Sequence, residues 1–155
     1  MAIDPQLELL KTLRATPVVA EALIGAFPDE TALRRRPAEG EWAAVEVVCH
    51  LADTEEHALA RVRRMVADDE PRLDPFDPEA LAVERRYLDR DARAELRRLA
   101  ELRAAHVGLL EGLDDAGWQR IGIHGEHGRM TIERYETHVA AEEVDHLAQI
   151  ARLLP

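Results

Sequence analysis

Close to its C-terminus the chain reads THVAAEEVDHLAQIARLLP, with Glu142 and His146 four residues apart. On a helix that spacing places two side chains on one face, one turn apart. A carboxylate and an imidazole so arranged can chelate one cation. In alternating steps of three and four, the stripe through them is Ile132, Tyr135, Val139, Glu142, His146, Gln149 and Leu153. Most of its other members are apolar, as on a face turned toward a helical core. An inward carboxylate is costly unless it finds a cation, a proton or a hydrogen-bond partner. A third ligand must come from another helix. His50 is the candidate, because it lies beside the apolar stripe of Val47, Leu51, Ala58, Val62 and Met65. Two imidazoles and one carboxylate, with positions left open for water, suit a divalent transition metal such as zinc, nickel, manganese or iron.

Plainer readings compete. A lone histidine on a helical core face is more often a satisfied structural residue than a ligand. An arginine from the third long helix would neutralise Glu142 but leave His146 unexplained. Glu142 and His146 could also form a buried hydrogen-bonded pair with no metal. His138 stands one turn before Glu142 and could take the place of His146. It cannot easily join both, because about 12 Å of helix separates it from His146. His57 is two turns beyond His50, too far for the same ion. His106 reads as a packing or rim group, and His124 and His127, in HGEHG, as loop residues that could reach a site mouth. Asp53, one turn after His50, reads either as support for the site or as a solvated residue. Cys49 neighbours His50 in sequence and therefore points roughly 100° away from it on a helix, which argues against a nucleophile. A di-iron carboxylate site would need a second Glu-x-x-His and two more inward glutamates, and the sequence does not supply them.

The elements that must position these residues are four long helical patterns. They run from about Pro5 to Phe27, Trp42 to Asp68, Arg90 to Leu113, and from Thr131 to the end. Asp4 before Pro5 is a good N-cap and first-turn pair, and Thr131 is a second N-cap. Pro17 is a place where the first helix would bend. PDETALRRRP reads as a short helix or turn. On the third long helix the inward set is Leu96, Leu99, Leu102, His106, Leu109 and Leu113. The segment DDEPRLDPFDPEALAVERRYLD joins the second and third long helices. Adjacent antiparallel helices are usually joined by about 2–8 residues. This link is far longer, so it can return along the bundle and leave the two helices parallel. The expected fold is all-α, a four-helix bundle in up-down-down-up order, as one domain over residues 1–155. A short helix fits within the link, and DDAGWQRIGIHGEHGR is expected to form a tight glycine-rich loop over one end.

Composition narrows the partners. The chain has 155 residues, 46% hydrophobic and 33% charged, with a formal net charge of −11. That sign repels phosphate backbones and argues against nucleic-acid binding. One cysteine excludes an intramolecular disulfide and a cysteine-rich zinc site. No apolar stretch reads as a signal core or membrane span, so the expected location is cytoplasmic, with no membrane partner.

The segments EWAAVEVVCHLADTEEHALARV and IGIHGEHGRMTIERYETHVAAEEVDHLAQI, with the helix order, make the chain similar to the DinB-like superfamily of metal-binding four-helix bundles. The resemblance covers nearly the whole chain. It implies a ligand histidine in the HLAD segment, matched by His50. It also implies two histidines four apart before a glutamine, a pattern that falls on Glu142, His146 and Gln149. Glutamate therefore stands where that family has histidine. The resemblance further implies a homodimer, a divalent metal and a small-molecule substrate. Its members include thiol S-transferases and maleylpyruvate isomerase-like proteins that use low-molecular-weight thiol cosubstrates. The expected function is a metal-dependent thiol S-transferase or related enzyme acting on a small electrophile. The alternatives are a non-catalytic stress-related metal- or ligand-binding dimer and a structural bundle without metal.

Overall fold

A computed structural model describes residues 3–155. Four long helices, α1 (Pro5–Gly25), α3 (Ala44–Ala67), α5 (Ala92–Glu111) and α7 (Ile132–Arg152), form the bundle. Short helices α2 (Glu30–Leu33), α4 (Pro78–Glu84) and α6 (Asp115–Trp118) lie in the connections, with a 3-10 turn at Tyr87–Asp89. Strands β1 (Ile121–His124) and β2 (Gly128–Thr131) complete the fold. Local chemistry starts these helices where the sequence predicts. Asp4 accepts from the Gln6 and Leu7 amides, Asp91 from Ala94, and Thr131 from Arg134. Each satisfies an N–H group that the first turn leaves without an intrahelical partner. At α3 the Glu46 carboxylate accepts from the Ala43 amide at 2.8 Å and also holds Arg36.

Pairwise contacts give the helix directions. Asp53 meets Arg98 and Glu55 meets His106, so α3 and α5 run parallel. Gln6 meets Glu133 and Thr16 meets Glu143, so α1 and α7 are also parallel. His50 meets His146 and Arg61 meets Tyr135, so α3 opposes α7. The order is up-down-down-up. Residues 68–91 carry the chain back along the bundle, with α4 inside the link.

The third connection departs from expectation. It is not only a loop: β1 and β2 pair antiparallel from Ile121↔Thr131 to His124↔Gly128. Three residues join the strands, and Gly128 takes φ 68°, a conformation that favours glycine. The Ile123 amide and carbonyl bond to Pro71 and Leu73, fixing the start of the long link to the hairpin. Gly122 is required by close approach: a Cβ there would stand 2.9 Å from Met65 Cγ. The hairpin therefore rests on the end of α3.

The core lies in two apolar clusters. One gathers Ala20, Ile24, Val47, Leu51, Leu99 and Ile150, and the other Leu10, Leu13, Val62, Met65, Leu110 and Ile132. Between them is a buried polar layer of Thr16, Glu55, Arg103, His106, Glu136 and Glu143. On α5, Leu102 and Leu109 are only half-buried, as is Leu113 just beyond its end, while Arg103, Val107 and Leu110 turn inward. A helix with neighbours on two sides buries a broad arc, wider than the stripe expected from the sequence. Among the described residues, no helix is long and apolar enough to cross a membrane.

Candidate metal centre

α3 and α7 bring His50 and His146 together. Their Nε2 atoms are 3.0 Å apart, and the rings meet nearly edge to face at 4.4 Å between centroids. His50 is buried, with the rings of Trp42 and Phe76 close to its own. Burial, reinforced by the adjacent His146, lowers its pKa to about 3, so the ring is neutral in the physiological range. His146 is half-buried at the cavity edge. Its Nδ1 lies 2.9 Å from Gln149 Oε1. An amide oxygen only accepts, so Nδ1 carries the proton and donates it to Gln149. That bond leaves the His146 Nε2 lone pair aimed at His50.

Glu142 is exposed, and this corrects the inward stripe drawn from the sequence. The inward carboxylate of α7 is its neighbour Glu143, which is bound by Arg103 and by the Thr16 hydroxyl. One residue turns a helical side chain by roughly 100°. Glu143 therefore faces the bundle while Glu142 sits at the rim. Glu142 still lines the same two cavities as His50 and His146. The first, of about 470 Å³, runs along α3 and α7 beneath the hairpin. The second, of about 700 Å³, approaches from the side of Trp42, Gln149 and Leu153.

His124, His127 and His138 line the first cavity, with the His127 ring 4.8 Å from that of His124 and 5.1 Å from that of His138. His57 donates from Nε2 to the Asp74 carbonyl and stacks on Phe76. His106 is neither a rim group nor simple packing; it is fully buried between Glu55 and Glu136. Asp53 is buried and bound by Arg85, Arg98 and Tyr87, so it does not face solvent, and its charge acts on His50 without a hydrogen bond to it. Cys49 is buried, and burial raises its pKa to about 12, which suits no nucleophile. Arg61, which no motif or spacing in the sequence marks, lines the first cavity too.

Two imidazole nitrogens 3.0 Å apart fit one cation. At the roughly 2.0–2.1 Å of a zinc–imidazole bond they would meet it at close to a right angle. Among the described residues, no group of three or more His, Cys, Asp or Glu side chains is gathered for a metal. Glu142 would have to swing in from the rim as the third donor. The His50 Nδ1 is buried with no hydrogen-bond partner. His50 thus lacks the acceptor that commonly orients a ligating histidine, whereas His146 has one in Gln149.

Comparison with known proteins gives a consistent family. The family profile described as DinB superfamily matches residues 12–150. A Geobacillus kaustophilus protein is 28% identical over 147 residues, covering 94% of this chain and 82% of its own length. A Geobacillus thermodenitrificans protein is 27% identical over 114 residues, or 74% of this chain; the match spans 64% of that relative. Both are named as candidate metal-dependent hydrolases. Among solved structures, YfiT from Bacillus subtilis superposes with a TM-score of 0.90 at 22% identity, over 98% of this chain and 88% of its own. It is described as a probable metal-dependent hydrolase with an unusual four-helix bundle topology.

Proposed function

This chain belongs to the DinB superfamily, and from that premise we propose that it is a metal-dependent enzyme acting on a small electrophile, with His50, His146 and Glu142 holding a divalent transition metal. The observation that carries the proposal is the Nε2-to-Nε2 approach of His50 and His146 at the wall of two cavities. When bound, the ion would supply Lewis acidity and lower the pKa of a nucleophile beside it. The chain's own residues prepare the place. Burial keeps His50 neutral, so protons do not compete for its lone pair near pH 7. Gln149 fixes the tautomer and direction of His146. Leu51, Leu73, Phe76 and Val139 line the first cavity and limit water beside an apolar substrate.

The nucleophile is either water, as the names of the Geobacillus relatives suggest, or a low-molecular-weight thiol. The thiol is favoured by the second cavity, which reaches the same histidines from another side. Two chambers meeting at one centre suit a two-substrate reaction, a metal-dependent thiol S-transfer. A homodimer belongs to the same reading, and the exposed Leu7, Val18 and Val19 of α1 offer it apolar surface.

The test is metal content and turnover of protein purified without a histidine tag. Zinc, nickel, manganese and iron are each supplied, and esters and alkylating electrophiles are offered with and without thiols. One bound ion per chain, lost in His50→Ala and in His146→Ala along with turnover, is the expected result. Thiol-dependent turnover indicates transfer, and thiol-independent turnover hydrolysis. Failure to take up any of the four ions would sink the proposal.

A further inference from the structure

Arg61 is the arginine that lines the first cavity, and the metal site gives it no role. It lies on α3, half-buried. Eleven residues, or about 16 Å of helix rise, separate it from His50. Acidic side chains outnumber basic ones in this protein, 31 to 20, and most arginines near the core are paired. Arg103 holds Glu55 and Glu143, and Arg98 holds Asp53, Glu56 and Glu95. Arg61 makes no ion pair among the described residues. Its Nη2 donates to the Asp74 carbonyl, and its Nη1 reaches the Tyr135 hydroxyl at 3.4 Å. The guanidinium carbon stands 5.7 Å from the centroid of the Tyr135 ring. The Nε atom is shielded from solvent with no hydrogen-bond partner. A guanidinium has five N–H donors, so most remain unspent beside a cavity.

The carboxylates near that end are held by other cations, Asp74 by Arg64, Glu56 by Arg98, Glu55 by Arg103 and Glu136 by His106. Burial and the Arg61 charge both lower the pKa of His57 and of His124. Glu126, on the exposed hairpin turn, lines the cavity without pairing with Arg61. Leu51, Leu73, Phe76 and Val139 give the wall apolar surface, with Thr54 and His138 beside them. A cavity of about 470 Å³ is of a size that holds a small organic ligand.

We propose that Arg61 and Tyr135 bind the anionic head group, carboxylate or phosphate, of an elongated substrate whose apolar body lies along α3 and α7 and whose reacting end reaches His50 and His146. Arginine suits this role, since its planar fork matches the oxygens of either anion. The assignment of the reacting end rests on the function proposed above; the anion site itself does not.

Binding measurements keep the two apart. The probes are 4-phenylbutyrate, its neutral amide and inorganic phosphate, titrated calorimetrically into the full chain with zinc and after chelator treatment. The carboxylate is expected to bind at least tenfold more tightly than the amide in both preparations. Arg61→Gln should abolish that preference while leaving the amide's affinity unchanged, and Arg61→Lys should keep part of it. Phosphate displacing the carboxylate, with the same dependence on Arg61, would identify a phosphoryl head group as an equal fit. Equal binding of carboxylate and amide by the parent protein would overturn the proposal, as would a preference that survives Arg61→Gln. A preference that vanishes with the chelator would also overturn it, because the carboxylate would then be a metal ligand. A chain that binds no zinc yet keeps the Arg61-dependent preference would count against the metal and not against the anion site.

Discussion

At the scale of single residues, Glu142 is the most informative position. The sequence resemblance implies a histidine at its place, and the side chain is exposed at the rim, not turned into the core. Glu142→His should keep the fold, because an exposed position tolerates the exchange. It should tighten zinc or nickel binding by roughly tenfold or more, since imidazole suits these ions better than a lone carboxylate oxygen does. Loss of a negative charge works against this by weakening attraction for any dication, but a third imidazole one turn from His146 is the larger effect. His146→Ala should lose binding, because it removes a donor that Gln149 has already oriented. Competitive titration of both variants against the parent at one pH is the measurement, and unchanged affinity in both would remove these positions from the metal site. The approach of His50 to His146 was legible in the sequence because His50 borders the apolar stripe of α3 and His146 lies on the inward stripe of α7. That second stripe misplaced the buried carboxylate by one residue. Glu142 and Glu143 differ by roughly 100° of helical rotation, and which of them faces inward depends on where Arg103 and Thr16 stand, which no local pattern records.

At the scale of elements, the parallel run of α3 and α5 was legible in the length and proline content of the link. The hairpin was not read, although IGIH and RMTI flank a glycine-bearing turn that signals one. Four-residue strands bury little by themselves, and these are held by α3 and by the Pro71–Leu73 segment. Gly122 tests that dependence. A β-branched residue ordinarily favours a strand, yet Gly122→Val should destabilise the protein by about 1–3 kcal/mol, the usual cost of overpacking a filled site. Its new atoms would meet Met65 and Leu73 at about 3 Å or less, and both residues are buried. Gly125→Ala, on the exposed turn with nothing near its added Cβ, should change stability by less than about 0.5 kcal/mol. Urea denaturation of both variants gives the comparison. Equal effects would mean that the hairpin is not seated on α3 as described.

At the scale of the whole molecule, the buried polar layer joins all four long helices and separates the two apolar clusters. Thr16 comes from α1, Glu55 from α3, Arg103 and His106 from α5, and Glu136 and Glu143 from α7. Burial alone would strip the proton from His106. The carboxylates of Glu136 and Glu55 outweigh it and raise the pKa to about 10. Burial likewise opposes ionisation of Glu55, but bonds from His106 and Arg103 bring its pKa down to about 2. Burial dominates at Glu143, whose pKa is raised despite Arg103. The His106 shift has a definite consequence for stability. An unfolded histidine loses its proton near pH 6.5, whereas the folded one keeps it until about pH 10. The stabilisation is therefore complete below about pH 6.5 and declines as pH rises toward 10. Within that window the folded state binds one proton more than the unfolded state, so unfolding free energy should fall by about 1.4 kcal/mol per pH unit on this account. The depressed pKa values of His50, His57 and His124 act below pH 6.5, and the raised pKa of Cys49 adds a slope of the same sign only as pH nears 9, a part that His106→Gln would leave in place. Urea titrations between pH 7 and 9 should show the slope in the parent protein. His106→Gln should flatten it while lowering stability overall, since Glu136 then loses its cation. If that variant does not fold, nitrogen chemical shifts of His106 in the parent decide the matter: at pH 8 both ring nitrogens should report an imidazolium. A neutral ring at pH 8 would mean that the layer is held by hydrogen bonds alone and that the fold carries no such dependence on pH.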